Sequence, residues 1–174
     1  MYRCNKGFSL IEVLVAVVIL SFGLISIAAL QINSKAVSYD SIQRTAAAQL
    51  AQDIIGKMRS NPTGAANYLG TYNGPDGGAA PTCVSPCTET EVAAIDIYNW
   101  REALNSATGG VESPIACITT LASTNYYNIS ITWQGTSSIA HTVARCGDTG
   151  NAAVDNYRRI ISLDVLVTSS GLGI

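Results

Sequence analysis

Histidine occurs once in this 174-residue chain, at His141. A Ser-His-Asp nucleophile system would have to be built on that one residue, and no G-x-S-x-G motif is present to supply the serine. His141 therefore reads as a structural or surface residue. Phosphate-binding loops are also missing, so the chain has no motor of its own. Asp148, Asn151 and Asp155 lack the spacing of an EF-hand and fit a turn between strands. Together these gaps argue against an enzyme and imply neither a cofactor nor a metal. Charge is sparse, with 10 Lys and Arg against 12 Asp and Glu and a formal net charge of -2. That balance gives no bulk attraction to nucleic acid, so no direct nucleic-acid partner is expected. The only adjacent basic pair is Arg158-Arg159. Proline is missing from Phe8 to Asn61, so nothing breaks a helix there. A clear A-x-A-like cleavage site is lacking too, which argues against an ordinary secretory signal.

What the chain does have is Gly7 to Ile32, GFSLIEVLVAVVILSFGLISIAALQI, almost wholly apolar with one charge, Glu12. Val13 to Ile32 is 20 positions, about the number needed to cross a bilayer. Arg3 and Lys6 precede it and belong on the cytoplasmic side, which leaves the bulk of the chain on the far side. Helical spacing continues through Tyr39, Ile42, Ala46, Leu50, Ile54 and Met58, with Asp40, Gln43, Arg44, Gln49, Asp53 and Lys57 as the solvated side. Pro62 ends the pattern by pushing Asn61 out of helical geometry. The expectation is one helix over 8–60, roughly 75–80 Å long at 1.5 Å per residue. Its first half must find lipid or other helices, and its second half packs on a domain. Ser21, Gly23 and Ser26 are small residues that could let neighbouring helices approach closely.

Asn61 to Cys87 is rich in Gly and Pro and reads as a surface loop pinned to the domain by Tyr68, Leu69, Tyr72 and cysteines. Thr88-x-x-Glu91 matches a capping box, opening a helix from about Thr90 to Ser106 that Gly109-Gly110 closes. Trp100 and Trp133 read as core. Strands are expected at Ile115–Leu121, Tyr127–Trp133, more weakly Ile139–Cys146, and Arg159–Val167. Four strands following the helices argue for an α+β fold in which an antiparallel sheet packs on the long helix. The five cysteines are Cys4, Cys83, Cys87, Cys117 and Cys146. Without Cys4 an even number remains, which suits two disulfides in an oxidising compartment. The preferred pairing is Cys83 with Cys87 and Cys117 with Cys146, with a four-cysteine zinc site as the other reading.

Gly7-Phe8-Ser9-Leu10-Ile11-Glu12 resembles the type III signal of type IV pilins and pseudopilins: a glycine, an aromatic, and a glutamate five places past the cut, all directly before a spanning helix. The resemblance implies a leader over 1–7, cleavage between Gly7 and Phe8 by a prepilin peptidase, and N-methylation of Phe8. It also implies assembly into a filament, with Glu12 meeting the Phe8 amine of a neighbouring subunit. Within that class the chain is most similar to the PilV-type minor pilins. The likeness rests on Glu12 to Ala16, Ala28 to Gln31, Leu50 to Asp53 and Met58 to Pro62, with scattered positions in Trp100 to Leu104, Gly109 to Val111 and Ile131 to Trp133. Thr108 departs from it, standing where proline would be expected. The implied partners are prepilin peptidase, other minor pilins, the major pilin, the inner-membrane assembly platform, and lipid before assembly. The implied location is the inner membrane, with 13–32 spanning and 61–174 as a periplasmic domain, then the pilus, near its tip. A type II secretion pseudopilin shares the same leader.

Overall fold

A computed structural model describes residues 7, 9–74, 78–105, 111–122 and 125–168. Phe8, Cys4 with the rest of 1–6, and the 106–110 stretch holding Thr108 and Gly109-Gly110 lie outside the described residues. The chain divides into two compact units between Tyr39 and Asp40. Helix α1, Leu10–Ser60, is continuous for 51 residues. Its end has the expected cause: Pro62 excludes helical geometry at Asn61. The Asn61 side chain, 6% exposed, instead donates to the Glu89 carbonyl at 2.7 Å. That bond ties the close of α1 to the opening of the next helix.

In the second unit the buried stripe of α1 is Gln43, Ala47, Ala51, Ile54, Ile55 and Met58. This corrects the sequence-based stripe at its upper end. Tyr39 and Ile42 are 45% and 57% exposed, while Gln43, expected among solvated residues, is fully buried. Apolar spacing alone favoured the larger side chains, but the core takes two alanines, Ala47 and Ala51, at 0% exposure.

After α1, a 3₁₀ turn at Ala65–Tyr68 leads into β1, Gly70–Tyr72. Helix α2, Glu89–Asn105, opens on the expected capping box. The Glu91 backbone N–H donates to Thr88 Oγ1 at 3.3 Å, and the Thr88 N–H donates to Glu91 Oε2 at 2.8 Å. The remaining elements are β2 (Ile115–Thr120), β3 (Tyr126–Gln134), a short α3 (Ala152–Asp155) and β4 (Arg158–Leu166). The sheet runs in the order β1-β2-β3-β4 with every neighbour antiparallel. The fold is therefore the expected one, a long helix and a four-strand antiparallel sheet. The membership of the sheet is not. Ile139–Cys146 forms no strand, and the fourth place is taken by β1. Thr142, Arg145 and Cys146 offer little apolar alternation, whereas Tyr72 is buried and completes a ladder with Ala116.

The core gathers Ala47, Ala51, Ile54 and Met58 from α1, Trp100 and Leu104 from α2, and Ala116, Ile118, Ile129, Ile131, Trp133 and Val165 from the sheet. Trp100 is fully buried, its indole N–H donates to the Leu50 carbonyl at 2.8 Å, and its ring meets Tyr72 edge-on at 5.8 Å. Tyr68, also fully buried, donates its hydroxyl to Asp96 at 2.6 Å. Burial, with the Asp96 bond added, pushes the Tyr68 phenol well above its ordinary range. Two disulfides close loops outside this core. Cys83 joins Cys87 with Cα atoms 5.3 Å apart, and Cys117 joins Cys146 at 5.8 Å.

Candidate assembly segment

The first unit holds the amino-terminal part of α1, whose described side chains are largely exposed. Leu10 is 90% exposed, Phe22 67% and Ile32 72%, and no residue from Ser9 to Lys35 is buried. A monomer in water rarely shows more than a few hundred Å² of contiguous apolar surface. This segment presents apolar side chains all round for more than five turns. Its backbone polar groups are satisfied within the helix, as a bilayer requires. The hydroxyls follow the same rule, since Ser21 donates to the Val17 carbonyl at 2.7 Å and Ser26 to the Phe22 carbonyl at 3.0 Å. Their protons are thus committed to their own helix rather than offered to a neighbour. Nothing lies within 4 Å of a Cβ built on Gly23.

Glu12 sits in the first turn of α1, where its N–H donates to the Ser9 carbonyl at 3.0 Å. Together with Val13, Ala16, Val17 and Leu20 it lines an open groove along the helix. A carboxylate near the helix amino terminus gains from the helix dipole. In hydrocarbon that gain leaves most of the insertion cost standing, about 2.5–3.5 kcal/mol at a bilayer centre and less near the interface. Gly7 is exposed, and among the described residues nothing lies within 4 Å of a Cβ built on it.

The other sequence candidates are structural. The His141 ring nitrogens lie 3.0 Å from the Val143 carbonyl and 3.2 Å from the Asp155 carbonyl. Asp148 accepts from the Arg145 N–H at 2.7 Å, and Asn151 caps α3 by accepting from the Ala153 N–H. Asp155 accepts from the Thr149 N–H at 2.9 Å, and this bond holds its carboxyl below the usual carboxylate range. These contacts shape the β3–β4 loop. Among the described residues no group of three or more His, Cys, Asp or Glu could hold a metal. Arg158-Arg159 is no basic patch either. Arg158 is 7% exposed and donates to Thr132 Oγ1 at 3.2 Å, while Arg159 donates to Ser137.

Two family models match, and they abut along the chain. The prokaryotic N-terminal methylation motif covers residues 2–28, and the model described as type IV pilin Tt1218 covers residues 29–98. Over residues 2–98 the chain therefore resembles a type IV pilin carrying the methylation motif. No curated protein and no solved structure matches it. The pilin models span α1, β1 and most of α2, and so take in the exposed apolar segment, Glu12 and the first turns of the domain core. Type IV pilins are structural proteins, which agrees with a chain whose polar clusters serve loops and caps.

Proposed function

We propose that this pilin is a minor pilin of the PilV type, which helps initiate and assemble type IV pili and so supports twitching motility and adhesion. In this reading 1–7 is the leader, 13–32 spans the inner membrane, and 61–174 is the periplasmic domain. Prepilin peptidase cuts between Gly7 and Phe8, and the new Phe8 amine is methylated, which preserves its positive charge. That amine, on a neighbouring pilin, is the cation that Glu12 meets, and the pair sets axial register. The supporting observation is the unburied apolar first half of α1 carrying a single acid in its first turn. Such a segment suits lipid before assembly and other pilin helices afterwards, with no intermediate soluble state. The handover is driven by the assembly platform and the major pilin, since the chain has no nucleotide-binding loop.

The second reading, a type II secretion pseudopilin, shares every feature of the leader. A deletion strain separates the two. Loss of surface pili and twitching with secretion intact supports the minor pilin, whereas normal piliation with lost exoprotein secretion supports the pseudopilin. Processing is tested apart from the choice of system by Gly7→Ala. Among the described residues nothing lies within 4 Å of a Cβ built on Gly7, so a methyl group meets no clash with them and a failure to reach mature size points to the peptidase. A normal mature-size band would refute the assigned cleavage site.

A further inference from the structure

Two buried N–H groups that lack an acceptor belong to neighbours. Trp133 and Arg159 stand directly opposite each other in the β3/β4 ladder, so their side chains share a sheet face. Trp133 is 2% exposed, and its indole Nε1–H, which can only donate, has no acceptor among the described residues. The same holds for Nη1 of Arg159. Buried donors are nearly always paired, so two such groups side by side call for an explanation. Both side chains line a cleft of about 310 Å³, and Asp40, Ser41 and Arg44 of α1 line it with them. Asp40 and Arg44 are one helical turn apart and so lie on the same side of α1.

Arg159 is held in place by its surroundings. Its Nη2 donates to the Ser137 carbonyl at 2.7 Å and to Ser137 Oγ at 2.8 Å. A Cβ built on Gly135 would fall 3.0 Å from Cγ, Cζ and Nε of Arg159, so the glycine gives the guanidinium its seat. Nη1 is the arm of the fork that this anchoring leaves over. Asp40 is committed as well. Its Oδ1 accepts from the Thr136 N–H at 3.4 Å, and both carboxylate oxygens lie 3.3 Å from the Thr136 hydroxyl. Among the described residues no ion pair joins Asp40, Arg44 or Arg159 to an opposite charge.

Charge and shape together select a ligand. Two guanidiniums and one carboxylate leave this cleft with a surplus of one positive charge. That surplus suits a monoanion, whereas a dianion would keep one charge uncompensated beside Asp40. A guanidinium arm beside an indole N–H offers two donors to the two oxygens of a planar carboxylate. The volume is near the lower end for small-molecule sites, which limits the rest of the ligand to a small body. We propose that this cleft binds a small organic monocarboxylate, with Trp133 Nε1 and Arg159 Nη1 donating to its oxygens. Arg44 is exposed, so it swings aside to admit the ligand and returns to cover its charge. All five lining residues belong to the second unit, so the site stands whichever filament the chain serves.

The test uses the full chain in detergent micelles and reads the indole N–H groups by proton–nitrogen NMR. Trp100 and Trp133 are the two tryptophans, and the Trp100 N–H is already given to the Leu50 carbonyl. Trp133→Phe identifies the reporting resonance. Sodium acetate should move the Trp133 resonance saturably, with a midpoint on the order of 1 mM for so small a ligand, and leave Trp100 in place. Arg44→Gln and Arg159→Gln should each weaken acetate about tenfold. Asp40→Asn should act in the opposite sense, tightening acetate and letting sulfate compete, because the surplus rises to two. No saturable Trp133 shift would overturn the site. Equal movement of both indoles would mark a bulk salt effect and overturn it too, as would an acetate response that neither arginine variant weakens. Saturation by sodium chloride at the same concentrations, or tighter binding of sulfate than acetate by the unaltered chain, would overturn the carboxylate assignment. Should Arg159→Gln displace the Trp100 resonance, the domain has been disturbed, and the exposed Arg44→Gln decides alone.

Discussion

Trp100→Phe is the sharpest probe of how α2 is held against the rest of the second unit. The indole is fully buried, bonds the Leu50 carbonyl at 2.8 Å and meets Tyr72 at 5.8 Å with an interplanar angle of 84°. Phenylalanine keeps an aromatic ring but loses the N–H and part of the ring volume. The hydrogen bond contributes ~1 kcal/mol. The missing ring atoms cost another ~1–2 kcal/mol in transfer and cavity terms. The expected loss is about 2–3 kcal/mol, a fall in melting temperature of roughly 5–10 °C for a chain of this size. Urea unfolding of the detergent-held chain measures it, and Trp133, 2% exposed in the core, reports by fluorescence. A Tyr72→Leu cycle should add a coupling of about 0.5–1.5 kcal/mol for the edge-on pair. An unchanged unfolding midpoint, or no coupling to Tyr72, would refute this account of the packing.

Three further outcomes are expected. Glu12→Leu should leave membrane insertion intact and abolish entry into filaments; full piliation in a complemented strain would end the register argument. Gly147 has φ +77° and a built Cβ would lie 2.6 Å from Ile115 Cδ1, whereas Gly150 at φ +80° has open space. Gly147→Ala should therefore cost more than Gly150→Ala, whose conformational penalty alone is about 1–2 kcal/mol; equal unfolding midpoints would contradict the clash. Asp155 is held below its ordinary range by the Thr149 N–H, so its contribution to the loop is complete above the usual aspartate value of about 3.9 and is lost as pH falls through the lowered one. The Thr149 amide resonance should stay constant down to about pH 4 and shift only below it; a shift beginning near neutrality would disprove the assignment.

Local pattern carried far in this chain. The length of α1, its stop at Pro62, the Thr88–Glu91 box and the three longer strands depend on neighbours within a few residues, and such signals survive without tertiary context. The apolar first half of α1 was equally legible, since the 20 largely apolar positions from Val13 to Ile32, with Glu12 at their threshold, need no partner to be recognised. Tertiary structure alone decided which stripe of α1 is buried. A core assembled from several elements takes up Ala47, Ala51 and even Gln43, while Ile42 is left outside. It also decided sheet membership. Gly70–Tyr72 is too short to signal a strand, and it becomes one only because β2 offers the register that seats Tyr72 against Ala116. Sequence by itself determined that the chain opens on a long apolar helix with a lone acid in its first turn, because hydrophobic length and a single charge are local facts. Which strands make the sheet and which residues line the core was decided only when the strands came together.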